Sequence, residues 1–153
     1  MDRNEVTRLL NFVISEARVK DVADAKGQTV TIALRVVGNW IILGKDVGSA
    51  ALIKNNPWIS HEAWSYKSNR TIKLTNEHQE ELKRLWRWIV STPSVAVDDL
   101  LDRMKAWPIV TITEDEKRRL KGRDYIEPAE RFRTPEGEIV VGKVTNGVWV
   151  ART

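Results

Sequence analysis

An α+β fold in a single domain is what this sequence predicts, and three observations carry it. Apolar residues recur at helical spacing in residues 3–19 and again in residues 77–91. Alternating apolar and polar residues flank turn-forming glycines in residues 29–44 and 131–152. The elements follow the order helix, strands, helices, strands, which favours antiparallel pairing over a doubly wound sheet. The expected architecture is a set of antiparallel sheet elements packed with three to four helices. Its sheet consists of an N-terminal hairpin and a C-terminal three-stranded meander, and the domain spans residues 1–153.

Each element has its own signal. In residues 3–19, Val6, Leu9, Leu10, Val13 and Ala17 form one helical stripe, with Glu5, Arg8, Glu16 and Arg18 elsewhere on the wheel. The pattern breaks at Ala25-Lys26-Gly27-Gln28. Thr29 to Gly44 reads as a β-hairpin, with Val30, Ile32, Leu34 and Val36 alternating and Gly38-Asn39 as a two-residue primed turn. Both faces of this hairpin are apolar, so it is expected to be central and covered. Asn55-Asn56-Pro57 marks a loop. Ala63–Tyr66 and Thr71–Leu74 form a second expected hairpin around Lys67-Ser68-Asn69-Arg70, after which Thr75 or Asn76 caps the helix over 77–91. Val97, Leu100, Leu101 and Met104 mark a shorter helix that ends at Trp107-Pro108. Ile109–Ile112 is β-branched and strand-like. Thr113 and Glu116 form a capping box for a short helix that Gly122 stops. The chain closes on strands joined at Pro135-Glu136-Gly137 and Asn146-Gly147.

Composition bounds the function. Hydrophobic residues make up 42% and charged residues 30%, the balance of a globular domain, and no apolar run approaches the ~18 residues of a membrane span. The N-terminus lacks the layout of a signal peptide. Cysteine is absent, which excludes disulfides, thiolate metal sites and a cysteine nucleophile and fits a cytoplasmic location. The 25 cations against 21 anions leave a net charge of +4 and a pI near 9.5. No segment is a basic tail, so a basic surface has to be assembled by folding.

The C-terminal strands are where that assembly is expected. With a three-residue loop at Pro135-Glu136-Gly137 and a two-residue turn at Asn146-Gly147, period-two alternation points Arg131, Arg133, Lys143 and Arg152 one way. Phe132, Val140, Val144, Trp149 and Ala151 then point the other way. A two-residue loop at Pro135-Glu136 shifts the register by one and splits the four cations between faces. A charged face is also the ordinary solvated side of an antiparallel sheet, and Glu130, Glu136 and Glu138 lie close enough in sequence to neutralise it.

Tryptophan is the second peculiarity, with seven Trp against two Phe and two Tyr. The plain reading is that Trp replaces Phe as the large aromatic of the core. In Lys83-Arg84-Leu85-Trp86-Arg87-Trp88, however, Trp86 falls in the apolar stripe whereas Trp88 falls well off it, between Arg84 and Glu81. Aromatic surface near cations suits base stacking and interface contact, and Trp40 and Trp64 are further candidates.

Catalytic signatures are weak. His61 and His78 stand apart without metal-ligand spacing, and Ser60-His61-Glu62 is local sequence rather than triad geometry. A helix-turn-helix over residues 97–121 fails on the seven strand-like residues between its helices. No cofactor, metal or catalytic set is called for. The sequence therefore predicts a small non-enzymatic binding protein for an anionic partner, nucleic acid or a nucleotide-like ligand. The phosphate-binding residues would be Arg131, Arg133, Lys143, Arg152, Arg84 and Arg87, with Trp88, Trp40 and Trp64 as stacking surface. The alternative is a protein-interaction module, an inhibitor or accessory protein of viral or mobile-element type. A metal-dependent nuclease using Asp124 and Glu138 ranks third.

Overall fold

Helix α1 (Arg3–Val19) forms where its period places it and buries Val6, Leu10, Val13 and Ala17. These details come from a computed structural model, which describes residues 1–19, 27–69 and 71–153. The break expected at Ala25-Lys26 and the turn residue Arg70 lie outside the described residues.

The expected N-terminal hairpin is instead a helix, α2 (Gln28–Leu43). Val30, Ala33, Leu34 and Val37 are its buried residues, a helical spacing that the alternating β-branched residues concealed. Apolarity on both strand faces was the clue, because a largely apolar 16-residue segment suits a helix packed on several sides. Gly38 is not a turn residue. It lets α2 approach the sheet, where a β-carbon would lie 2.9 Å from Ile109 Cδ1. Asn39 folds its amide inward, donating to Asp46 Oδ1 and to the Val47 carbonyl at 3.0 Å each. Gly44, at φ 70°, closes the helix by donating its N–H to Trp40 O.

The second expected hairpin is also absent. Residues His61–Tyr66 form helix α4, which follows α3 (Ser49–Asn55) and the short strand β1 (Trp58–Ser60). Leu74–His78 is strand β2, so Thr75 and Asn76 cap nothing and helix α5 begins later than expected, over Leu82–Ser91, with Glu81 accepting from Lys83 N–H. Helix α6 (Val97–Ala106), strand β3 (Ile109–Thr113) and helix α7 (Glu114–Arg119) stand where the sequence put them, and both arms of the Thr113/Glu116 capping box are made.

The C-terminal meander resolves into two separate hairpins. After a four-residue helix, α8 (Pro128–Arg131), β4 (Arg133–Thr134) pairs with β5 (Gly137–Glu138) across Pro135-Glu136, the two-residue loop that shifts the register. Strands β6 (Val141–Thr145) and β7 (Val148–Ala151) join the main sheet, turning at Asn146 and Gly147 with φ of 51° and 75°. Among the described residues there are thus eight helices rather than three or four, a five-stranded sheet of order β2-β3-β1-β6-β7, and the small β4-β5 ribbon. The sheet is mixed: β1 and β3 run parallel and the other pairs antiparallel.

Two cores hold this together. Helices α1, α2, α5 and α6 share the larger one, centred on Leu10, Leu34, Trp86, Ile89 and Leu100. The second lies on one sheet face, where Val110, Ile112 and Val141 meet Leu120, Phe132 and Ile139 with Trp58 at the margin. No helix among the described residues is long and apolar enough to cross a membrane.

The sheet centre is fastened by polar side chains. Ser60 Oγ accepts from Ala63 N–H as the N-cap of α4 and donates to Glu116 Oε2 at 2.6 Å, while Glu116 accepts from Thr113 N–H at 2.9 Å. Glu116 is 2% exposed, and burial pushes its carboxyl above the ordinary glutamate range against the hydrogen bonds it accepts from Ser60 and Thr113. One carboxylate therefore serves two helix starts. Glu116→Ala strips partners from the Ser60 hydroxyl and the Thr113 amide together and is expected to cost about 2–4 kcal/mol in chemical denaturation, against about 1–2 for Thr113→Ala. On the neighbouring strand, a β-carbon on Gly142 would overlap the Trp149 indole, so Gly142→Ala is expected to lower Tm by several degrees in a thermal melt.

Candidate functional sites

Strand parity decides what the C-terminal cations share. Trp58 lies opposite Lys143, and Lys143 opposite Val150. Side chains directly opposite in antiparallel strands emerge on the same face. Arg152 continues the parity of Val150 past the end of β7, so Trp58, Val141, Lys143, Val148, Val150 and Arg152 belong to one face. Val144, Trp149 and Ala151 belong to the other, as the alternation requires.

On the first face the Trp58 indole has two cations near it, Lys143 Nζ 5.3 Å and the Arg152 guanidinium carbon 5.5 Å from the ring centre. Arg152 also lies 4.9 Å from the Trp107 ring. It donates to Gln79 Oε1 at 2.9 Å and to the Ala106 carbonyl. Partial burial draws the Arg152 pKa down from the ordinary guanidinium value. Beside these groups opens a groove of about 310 Å³ lined by Gln79, Trp107, Phe132, Arg133, Val141 and Arg152, among others. The outer end of the face is uncovered, with Val148 61% and Val150 58% exposed.

The other two C-terminal cations do not join this cluster, which corrects the four-cation strand face. Arg131 is not in a strand. Pro128 at the first turn starts α8, and Arg131 is 2% exposed at its end. Its guanidinium bonds Glu77 at 2.7 Å and donates to the His78 carbonyl. Arg133 is exposed on the β4-β5 ribbon, 2.8 Å from Glu130 and 4.0 Å from Glu138. Phe132, assigned to the dry side, packs into the core on the same sheet face as Lys143, and Val140 is 40% exposed.

The helix candidates lie elsewhere. Arg84 pairs with Glu127 and approaches Glu80 at 4.0 Å, and the Arg87 guanidinium stacks on Tyr125 at 3.7 Å. Trp88 is half-buried with Arg103 over its ring at 4.3 Å, and both it and Trp40 pack against the helical core. Trp64 has Lys67 at 5.7 Å. The structure thus joins Lys143 and Arg152 to Trp58 and Trp107, two aromatics that sequence reasoning did not nominate. For Trp58 the only sequence signal was adjacency to Pro57 ahead of a three-residue strand.

Asp124 is held by Lys83 at 3.1 Å and Glu138 lies near Arg133, so these carboxylates sit in separate ion pairs. Among the described residues, no three His, Asp or Glu side chains are grouped to hold a metal ion.

A second concavity, of about 460 Å³, lies on the opposite sheet face between α2, α3 and β2. Its lining includes Arg35, Asn39, Asp46, Ser49, Asn76 and His78. Alternation along β2 turns Asn76 and His78 to the same side. Asn76 is held by Ser49, donating to its carbonyl at 3.1 Å. Burial among α2, β3 and the chain after β2 pulls the His78 pKa from 6.5 to about 4, with Arg131 and Arg35 adding repulsion.

Comparison of the chain with protein-family models, with curated proteins and with solved structures returns no match.

A histidine held neutral in this way makes stability depend on acid. Between pH 6.5 and 4 the unfolded chain binds a proton at His78 that the folded chain refuses. The stabilisation is present in full above pH 6.5 and is lost as pH falls towards 4, by up to about 3 kcal/mol. An NMR pH titration of the His78 ring is expected to give a midpoint near 4. His78→Gln is expected to flatten the stability profile over the same interval.

Proposed function

We propose that this protein is a non-enzymatic binder of an anionic polymer, a single-stranded nucleic acid, and that the Trp58–Lys143–Arg152–Trp107 face is its contact surface. One observation carries this reading. Lys143 and Arg152 flank the same indole towards the exposed outer end of the sheet face that carries the second core, and neither forms an ion pair with a carboxylate among the described residues. The other C-terminal cations, Arg131 and Arg133, are engaged by Glu77 and Glu130. Cations held beside aromatic rings on an open sheet serve phosphates and bases together, since every base has a stackable face and every linkage a negative charge. A shallow face rather than a deep slot favours a flexible single strand over a duplex. A chain without cysteine suits the reducing cytoplasm, where such strands occur.

A second reading is supported by a different observation on the same edge. Strand β7 is the last of its sheet, and Val148 and Val150 leave it apolar and exposed, without the lysine, proline or bulge that usually blunts an edge. An extended acidic peptide would add to it as a sixth strand, with carboxylates towards Lys143 and Arg152. This is the form that the protein-interaction alternative takes.

Fluorescence-anisotropy titrations with labelled single- and double-stranded DNA and RNA, each at several salt concentrations, separate the two. Single strands are expected to bind at low salt and to weaken as salt rises. Replacing both cations, Lys143→Ser with Arg152→Ser, is expected to reduce the slope of log Kobs against log[salt] by about 1.4, at about 0.7 per lost phosphate contact. Absence of binding at low salt, or binding with no salt dependence, removes the nucleic-acid reading. A protein partner retained from lysate after nuclease treatment, and released by Val150→Lys, selects the peptide-addition reading instead.

A further inference from the structure

The cleft at His78 takes no part in the nucleic-acid surface, and it differs in kind. It is a concavity of about 460 Å³, in the range of small-molecule sites, whereas the Trp58 face is open. Three separate elements build it: Arg35 and Asn39 come from successive turns of α2, Ser49 and Leu52 from α3, and Asn76 and His78 from β2. Its polar groups are fixed in place. Asn39 is 4% exposed and is tied to Asp46 and Val47, and Asn76 is tied to Ser49 and accepts from Thr111 Oγ1 at 3.3 Å. Val47, Leu52 and Ile109 supply apolar wall between them. Preorganised polar groups converging on a half-apolar concavity are what a small ligand needs, because little ordering remains to be done on binding.

We infer that this cleft binds a small organic anion, a carboxylate or phosphate monoester with an apolar body, whose acidic group lies between Arg35 and His78 and whose body lies on Val47, Leu52 and Ile109. Arg35 is exposed on α2 and makes no ion pair among the described residues, so its charge is available to an incoming acid. Asp46 at the rim already accepts from the Asn39 amide, and its charge selects against a second acidic group on the ligand.

The charges around His78 make the binding proton-linked. The charged groups around it are Arg35 from α2, Asp46 from the loop after α2, Arg131 from α8 bonded at the His78 carbonyl, and Glu80 just after β2, while Glu77 points to the other face of the strand. Glu77 is committed to Arg131, and Glu80 to Arg103. Burial does most to oppose protonation of the ring, and Arg131 and Arg35 add to it. An anion seated against Arg35 offsets that repulsion and attracts a proton to the ring, so the ring pKa rises on binding and the protonated ring donates a hydrogen bond to the ligand. Affinity for an anion should therefore rise as pH falls through the pKa of the ligand-bound ring, by up to about tenfold per pH unit.

The test uses the full chain and four probes: inorganic phosphate, phenyl phosphate, acetate and benzoate. Binding is followed by NMR at the His78 ring and by calorimetry at pH 7 and pH 5. Phenyl phosphate or benzoate is expected to shift the His78 resonance saturably and to bind more tightly at pH 5, with inorganic phosphate and acetate weaker because they leave the apolar wall unfilled. Which of the two aryl probes wins decides between phosphate and carboxylate. Arg35→Ala, at an exposed helix position, should weaken binding about tenfold or more, as loss of a charge-assisted contact does. His78→Gln should retain binding at pH 7 and lose the gain at pH 5, whereas Lys143→Ser with Arg152→Ser should change neither. The inference is overturned if no probe gives a saturable shift at millimolar concentration. It is also overturned if Arg35→Ala binds as the parent does, or if the Lys143/Arg152 double variant abolishes the effect.

Discussion

Everything on the sheet depends on how strand β1 is held. It is three residues long, and its central partner β3 runs parallel to it, with Ile59 opposite Thr111. A parallel pair this short has little ladder of its own to fix its register. Polar side chains at both ends fix it instead. Before the strand, the buried Asn56 amide donates to the Ile109 carbonyl at 3.0 Å and to Thr111 Oγ1 at 3.3 Å, and its oxygen accepts from Trp58 N–H at 2.9 Å. At the strand's last residue, Ser60 is bound by the buried Glu116 carboxylate, which is bound in turn to Thr113 at the end of β3. A slip of one residue would leave three buried polar side chains without partners, a penalty of several kcal/mol that no repacking repairs. Because β6 is laid on β1, the pairing of Trp58 with Lys143 is inherited from this arrangement.

The same matching of charge commits many of the 25 cations, the buried arginines above all, to partners within the fold. The most deeply placed carboxylates collect arginine: Glu80 takes a bidentate contact from Arg103 and a longer one from Arg84, Glu77 takes Arg131, and Glu62 and Glu116 share Arg119. Three of these pairs, Arg103–Glu80, Arg131–Glu77 and Arg119–Glu62, join elements far apart in sequence, and an arginine fork suits that role better than a lysine because it reaches two acceptors at once. Among the described cations without a carboxylate partner, Lys143 and Arg152 lie on one sheet face and Arg35 over the opposite one, whereas others such as Lys54, Lys105 and Lys121 are exposed elsewhere. What sets the first three apart is their place beside aromatic rings or a cleft.

Features of the fold written in adjacent residues were legible, and features written across the chain were not. The stripe of α1, the stripe of α6, the capping box at Thr113 and Glu116, and the turn at Asn146-Gly147 each depend on fewer than five spacings, and each is where it was read. Thr29–Gly44 misled because Val and Ile satisfy a strand and a buried helix alike, and because Gly38 has two uses. Only the approach of Ile109, seventy-one positions later, distinguishes a packing glycine from a turning one. Arg131 and Arg133 were misplaced because a loop one residue shorter reverses every side chain before it, and because Pro128 starts a helical turn just upstream. The His78 cleft had no local signal at all. Its residues come from α2, the following loop, α3 and two strands, and three of those elements, α2, α3 and β2, were assigned to the wrong class or left irregular.

The two sites meet at the end of β2. His78 turns its ring to the cleft while its carbonyl accepts from the buried Arg131, and the next residue, Gln79, accepts from Arg152 on the other side of the sheet. Trp107 and Ile109 repeat the arrangement one element away, Trp107 beneath Arg152 and Ile109 in the cleft wall. Adjacency of this kind does not by itself transmit anything, since coupling requires an element with two arrangements that both ligands bias. What it supplies is common rigidity. Gln79 is 4% exposed and Arg131 is 2% exposed, and both are fixed by bonds that cross between elements. A strand end clamped from both faces keeps the cleft and the cationic face in constant relation, so each can be preorganised without separate support.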